Sequence, residues 1–390
     1  MRAPVRWALA FLAIAAVLLA VRVGARPYAR ATSLIVRTAG LEKQHPTLAA
    51  LQTNTIRERK ASVPSRFGEL RAKVYEPTIG YERTVLLTPG VNALGIDEPR
   101  LVTFARHLAS TGLLVVTPEL PDLSRYLVTA RSTDMVEDAA VWVSNNQALS
   151  RGGPIGIMGI SFAGGLSMVA AGRPSLRGRL AFVFSFGGHA NFQRVLRYLC
   201  TGDEPQAPGA SAPRTPRPHD YGVAILALGL AHLLVPAPQI EPLREGILTF
   251  LHASHVALFD QAKALEEFAK GQAMEAKLEE PAQTILGLVN RRESVELGRR
   301  LLPYTLALGD DPALSPDRSP VPDAPVFLLH GNEDNVVPAA ESLWLAEHQR
   351  PHTPVRVLLT PLISHAEVDR QATPREVVDL IAFWTGMLRE

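Results

Sequence analysis

The chain has 390 residues, 47% of them hydrophobic, so it is long enough to bury a large core, and α/β domains of this length often carry insertions. Its 40 Lys and Arg stand against 38 Asp and Glu, a formal net charge of +2, and no aromatic-rich basic stripe follows the scattered Arg residues; this excludes a nucleic-acid-binding protein. With Cys200 as its one cysteine, the chain excludes an intramolecular disulfide and any cysteine-based metal framework, and leaves the redox compartment open.

At the N-terminus, Arg2 and Arg6 precede an uncharged apolar run from Trp7 to Val21. Fifteen helical residues reach about 22 Å, short of the ~30 Å hydrocarbon core. Snorkelling of Arg22 extends the span to Ala25 and makes it adequate. We expect residues 1–26 to be a retained single-pass membrane anchor, with a cleaved signal peptide ending near Ala25 as the alternative. Arg22, Arg26, Arg30 and Arg37 all follow the run, so charge does not set its orientation.

Residues 55–77 read as two strands around a turn at Gly68, with Leu70, Ala72 and Val74 alternating with polar neighbours. The apolar run 84–88 suits a strand buried on both faces. A helix follows over 98–109, then a strand over 113–117 and a helix over 133–143. Residues 155–158 form the next strand and lead into a small-residue helix, and 180–186 another strand. This alternation predicts a mostly parallel central sheet with helices on both faces. It stops at Gly187-Gly188 and resumes at residue 325. Between lie prolines at 205, 208, 213, 216 and 218, several helices over 221–308, and prolines at 312, 316, 320 and 322. We read residues 189–321 as a helical cap bracketed by proline-rich hinges, between core segments 53–188 and 322–390. The apolar stretch 221–235 is short for a membrane span and fits a cap helix over a pocket. The last strand is 355–359 and the last helix 374–388.

Three segments carry chemistry. Gly159-Ile160-Ser161-Phe162-Ala163 follows a strand and opens a helix, the setting of a nucleophile elbow. A sharp turn must hold the Ser161 hydroxyl clear of the sheet, so the residues two before and two after it must be small; Gly159 and Ala163 are. Ala163 stands where G-x-S-x-G has glycine, a departure of one methyl group. The Phe162 N–H would then be one oxyanion donor at the positive end of the helix. The bland reading is a glycine-rich turn with an idle serine. The second segment, His330 to Pro338, follows an apolar strand and places Asp334 to orient an imidazole. Its competitors are Glu333 beside it and Asp203 in the loop after an earlier strand, and a turn-capping Asp is the bland alternative. The third is His365 in Ile363-Ser364-His365-Ala366, against the reading of an exposed loop histidine. The chain order Ser, Asp, His is that of α/β hydrolases.

Residues 53–188 and 322–388 resemble the α/β-hydrolase superfamily, nearest its dienelactone-hydrolase and esterase-like branches, on the elbow and on His-Gly-x-x-Asp-x-x-Val-Pro at 330–338. The resemblance implies an α/β-hydrolase fold, with the cap inserted before the strand carrying the acid. It also implies that the loop after the third strand gives a second oxyanion N–H. That loop reads Thr88-Pro89-Gly90-Val91-Asn92, with Pro89 in place of the usual histidine, and assigns the donor to Val91 ahead of Asn92. No cofactor or metal is required. His252 and His255 are three apart on a helix but lack a third ligand at recognised spacing. His189 has a structural role ahead of a substrate contact.

The expected activity is hydrolysis of a carboxylic ester or related acyl bond in a small-molecule substrate. An acyltransferase or peptidase on the same triad is the alternative. A catalytically inactive, membrane-anchored binding protein is the rival of another class.

Overall fold

A computed structural model describes residues 24–204, 206, 207, 209, 217–363 and 373–390. Eight strands form one sheet: β1 (Ile56–Ser65), β2 (Gly68–Pro77), β3 (Arg83–Thr88), β4 (Leu113–Pro118), β5 (Ile155–Ile160), β6 (Leu180–Phe186), β7 (Val326–Gly331) and β8 (Val355–Thr360). Their order is β1-β2-β4-β3-β5-β6-β7-β8. β1 and β2 form an antiparallel hairpin, β2 is antiparallel to β4, and every pairing from β4 to β8 is parallel. Gly68 closes the hairpin at φ +105°, a conformation that costs any residue with a Cβ.

The central strands are runs of Val, Leu, Ile and Phe because both faces are covered. On one face, Val85, Leu87, Val115, Met158, Phe182, Phe184 and Phe327 meet α1 (24–38), α2 (Pro99–Ser110) and the C-terminal helix. On the other, Leu86, Leu114, Ile157, Val183 and Leu328 meet α3 (Ala130–Asn145) and α4 (Phe162–Ala171). Gly156 lies inside β5 because a side chain there would run into the Phe182 ring.

Between β6 and β7 come α5 (Phe192–Thr201), α6 (Asp220–Leu234), α7 (Ala237–Val256), α8 (Gln261–Glu275), α9 (Ala282–Asn290) and α10 (Ser294–Leu301). The chain closes with α11 (Ala340–Gln349) and α12 (Pro374–Arg389). The cap is fastened at its start by Glu341 of α11. This carboxylate, 1% exposed, accepts from the Ala190 and Asn191 N–H groups at 2.9 Å each and pairs with Arg194.

Two segments differ from the sequence reading. Residues 312–322, expected as an extended hinge, form two 3-10 turns, Pro312–Leu314 and Pro316–Arg318, held against the core. The Ala313 carbonyl accepts from Thr133 at 2.8 Å and the Leu314 carbonyl from His189 at 2.8 Å, so this arm does not swing freely. Helix α1 was assigned no place in the core, yet Ala31 and Leu34 are fully buried and Arg30, 4% exposed, pairs with Glu82. The apolar run 7–21 lies outside the described residues, and among those described no helix is long and apolar enough to cross a membrane.

Candidate active site

Ser161 stands between β5 and α4 at φ 57°, ψ −133°, a backbone conformation sparsely populated by residues with a side chain. Its N–H donates to the Phe186 carbonyl at 2.7 Å, and its carbonyl accepts from Gly164 at 2.7 Å. The small neighbours explain how the turn closes. A Cβ on Gly159 would overlap the Ala163 carbonyl, whereas the Ala163 methyl is fully buried without displacing the helix. The glycines at 164, 165 and 188 let α4 approach the end of β6: a methyl on Gly188 would lie 2.8 Å from the Gly165 nitrogen. Every residue of α4 is buried and none is charged, so the positive end of the helix dipole is aimed at Ser161 without a competing ion. Phe162 is its first residue, so its N–H has no carbonyl partner within the helix.

Asp334 follows β7 and is 2% exposed. Its Oδ1 accepts from the Val336 and Val337 N–H groups at 2.9 Å each, and its Oδ2 lies 3.4 Å from His330 Nε2. The fully buried His330 in turn spans 2.8 Å to the Val337 carbonyl and 2.7 Å to Ser342 Oγ, which fixes the loop that carries Asp334. The competing carboxylates Glu333 and Asp203 are both exposed. Strand β6 connects the two halves of the site. Its Phe186 carbonyl holds Ser161, and Gly187 takes a φ of +62° beside Asp334, where a Cβ would lie 3.5 Å from Oδ2. Ser161 and Asp334 therefore follow the two strands on either side of β6, about two strand spacings or ~10 Å apart, which leaves room for an imidazole between them. The third expected member, His365, lies outside the described residues, as does Ser364.

The loop after β3 runs beside Ser161. A Cβ on Gly90 would sit 3.6 Å from that of Ser161 and 3.5 Å from the Ile160 carbonyl. Three side chains hold this loop; of these the sequence reading weighed only His255, and that as half of a metal pair. The Tyr221 hydroxyl, on α6, donates to the Val91 carbonyl at 3.3 Å. The Tyr126 ring lies edge-on to Tyr221, centroids 6.2 Å apart, and burial raises its hydroxyl pKa against the opposing influence of the Ala93 backbone and Tyr221. His255 of α7 meets Asn92, Nδ1 to Nδ2, at 3.2 Å. Asn92 Oδ1 already accepts from Leu94 N–H at 2.8 Å, so Nδ2 is the donor toward His255, whose Nδ1 is the unprotonated nitrogen. Only the apolar spacing of α6 hinted that Tyr221 would face the site. His189, weighed as a substrate contact, is fully buried between Phe162 and Phe192 and bonds the Leu314 carbonyl, so its role is structural. Among the described residues no group of His, Cys, Asp or Glu is arranged to hold a metal.

An open sheet with one antiparallel hairpin at its edge, a strained serine on the strand–helix turn of its central β5, and a buried acid after β7 decide the architecture. The fold is that of the α/β hydrolases. No protein-family model and no curated protein sequence matches the chain. Among solved structures, an esterase of Pyrobaculum calidifontis aligns at 16% identity and a TM-score of 0.46, covering 91% of this chain and 93% of the esterase. A dienelactone hydrolase from Anabaena variabilis aligns at 16% identity and a TM-score of 0.43, covering 86% and 97%. The acylaminoacyl peptidase of Pyrococcus horikoshii aligns at 14% identity and a TM-score of 0.48; 88% of this chain is covered, and it spans only 43% of the peptidase. The fold assignment rests on strand order and the elbow, not on these likenesses.

Proposed function

We propose that the protein is a serine hydrolase that cleaves a carboxylic ester or related acyl bond through Ser161, Asp334 and His365. The observation that carries this reading is the pairing of a strained Ser161 at the head of α4 with a buried, doubly hydrogen-bonded Asp334 across the end of β6. His365, on the segment after β8, is the base in this reading. It takes the Ser161 proton as Oγ attacks the acyl carbon, while the Phe162 and Val91 N–H groups hold the oxyanion. Collapse breaks the acyl–oxygen bond, and His365 returns the proton to the leaving alkoxide. A water then gives its proton to His365 and its oxygen to the acyl group, and Ser161 is released as the free hydroxyl.

The leaving group and acyl chain enter beneath a cap whose helices α6 and α7 are rich in Leu, Ala and Ile. An unpaired charge buried there is costly, so uncharged acyl groups of short to medium length are the substrates we propose. The test is labelling by a fluorophosphonate probe with Ser161→Ala as control, followed by p-nitrophenyl esters from acetate to palmitate beside a succinyl ester. Ser161→Ala, Asp334→Asn and His365→Ala should each abolish most hydrolysis, with strongly non-additive effects because the three act as one unit. A chain that the probe does not label overturns the reading. Asp334→Asn with full activity, or a preference for the succinyl ester, overturns the acid assignment or the account of the cap.

We propose further that residues 7–25 anchor the domain to a membrane. The anchor would be held close, because Arg26, the residue after it, pairs with Glu82 at 2.8 Å. Retention of the protein in the particulate fraction at high salt, and release by detergent, is the expected behaviour. Mature protein beginning near Arg26 would show a cleaved signal instead.

A further inference from the structure

The first turn of α6 touches both loops of the site. Just ahead of it, the His219 N–H donates to the Asn335 carbonyl at 2.9 Å, beside the acid. Two residues on, the Tyr221 hydroxyl donates to the Val91 carbonyl at 3.3 Å, in the loop beside the nucleophile. A Cβ on Gly222 would lie 2.8 Å from Leu199 of α5 and 3.4 Å from Val336, so the turn packs on α5 and reaches the Asp334 loop. From the next cap helix, His255 accepts from Asn92 at 3.2 Å. Asp220, between the two contact residues, pairs with Arg292 at 3.1 Å and so ties this turn to the rest of the cap. Burial keeps the Tyr221 hydroxyl a neutral donor and lowers the proton affinity of His255, so that both bonds exist at neutral pH.

We infer that Tyr221, with His255, is a positioning residue that fixes the loop 90–93 against Ser161, so that seating of the cap sets the rate of acyl transfer and not only access to the pocket. The inference rests on the serine-hydrolase reading. Neither side chain has to touch substrate. Tyr221 holds the peptide carbonyl of Val91 and His255 the side-chain amide of Asn92, the next residue of the loop; a misplacement of the proposed oxyanion donor there by about 1 Å is worth up to a hundredfold in rate. A lid that merely covered a pocket would need no hydrogen bond to either loop.

The experiment compares Tyr221→Phe, which deletes one hydroxyl and keeps the ring against Tyr126, with the full-length wild type on p-nitrophenyl butyrate. The strut predicts a fall in kcat of about tenfold with KM within about twofold, a parallel fall in the rate of fluorophosphonate inactivation, and an unchanged unfolding temperature. His255→Ala should do the same, and His255→Gln, whose carbonyl can still accept from Asn92, should recover most of the loss. His255→Ala decides the matter where Tyr221→Phe does not fold. Unchanged kcat in Tyr221→Phe and His255→Ala, or a rise in KM alone, overturns the strut while leaving the hydrolase reading intact. A wild type that the probe does not label removes both.

Discussion

Ser161 holds its side chain where it does at the expense of its own backbone. A φ of 57° with ψ −133° costs on the order of 1–3 kcal/mol for a residue with a Cβ, and the surroundings impose it through the bonds to Phe186 and Gly164. This strain has a testable consequence separate from chemistry. Ser161→Gly and Ser161→Ala both remove the nucleophile, but glycine adopts this conformation freely. In urea unfolding, Ser161→Gly should be more stable than Ser161→Ala by about 1 kcal/mol, although glycine ordinarily lowers stability by raising the entropy of the unfolded chain. The opposite order would mean that the elbow is not strained. Asp334 is placed by the reverse means, through satisfied bonds. Asparagine keeps an acceptor for the Val336 and Val337 N–H groups, whereas alanine strands two buried donors, each worth about 1–3 kcal/mol. Asp334→Asn should therefore fold like wild type while losing turnover.

Elements were legible where one feature of sequence determines one feature of structure. The run at 180–186 is β6 to the residue, because a strand covered on both faces is nearly all apolar, here in every residue but Ser185. The elbow was legible because its turn admits only small residues at 159 and 163. The loop after β7 was legible from His330 and Asp334, whose bonds lie within twelve positions along the chain. Side chains whose role depends on a distant partner were not legible. Tyr221 and Val91 are 130 residues apart, and nothing local to either marks the contact. Helix α1 was missed for the same reason: beside an apolar run its arginines read as flanking charge, whereas Arg30 meets Glu82 across 52 residues. Its burial makes a prediction at this scale. Deleting residues 1–23 should leave an active, soluble domain, because the buried residues Arg30, Ala31 and Leu34 of α1 are kept. Deleting 1–40 would expose the surface that Ala31 and Leu34 cover and leave Glu82 without Arg30; it should yield aggregated or strongly destabilised protein. Equal behaviour of the two deletions would show that α1 contributes nothing to the fold.

On the scale of the molecule, two histidines on opposite faces of the sheet couple its stability to pH. His107, on α2, is 7% exposed beside Arg37 and within 3.4 Å of Thr38 Oγ1 on α1. His189 is fully buried against α4, where Nε2 donates to the Leu314 carbonyl and Nδ1 has no partner among the described residues. Burial, aided by Arg37 in one case and Arg194 in the other, lowers each pKa from 6.5 to about 4. Both are therefore neutral in the folded protein at pH 6, while the unfolded chain already begins to bind protons there. Between about pH 6.5 and 4 the unfolded state holds more protons, so stability is fully present above 6.5 and falls as the pH drops through that window. For fully buried His189 the loss is on the order of 3 kcal/mol, which is a large part of the stability of an ordinary domain. Protonation there would also put a second N–H against the glycine face of α4, where a Cβ on Gly165 would lie 2.6 Å from Nδ1. The measurement is the unfolding temperature from pH 7.5 to 4.5 for the wild type and His189→Gln, whose amide can still donate to Leu314 but does not titrate. His189→Gln should start lower and lose less across the window. Parallel curves for the two proteins would place the acid sensitivity elsewhere.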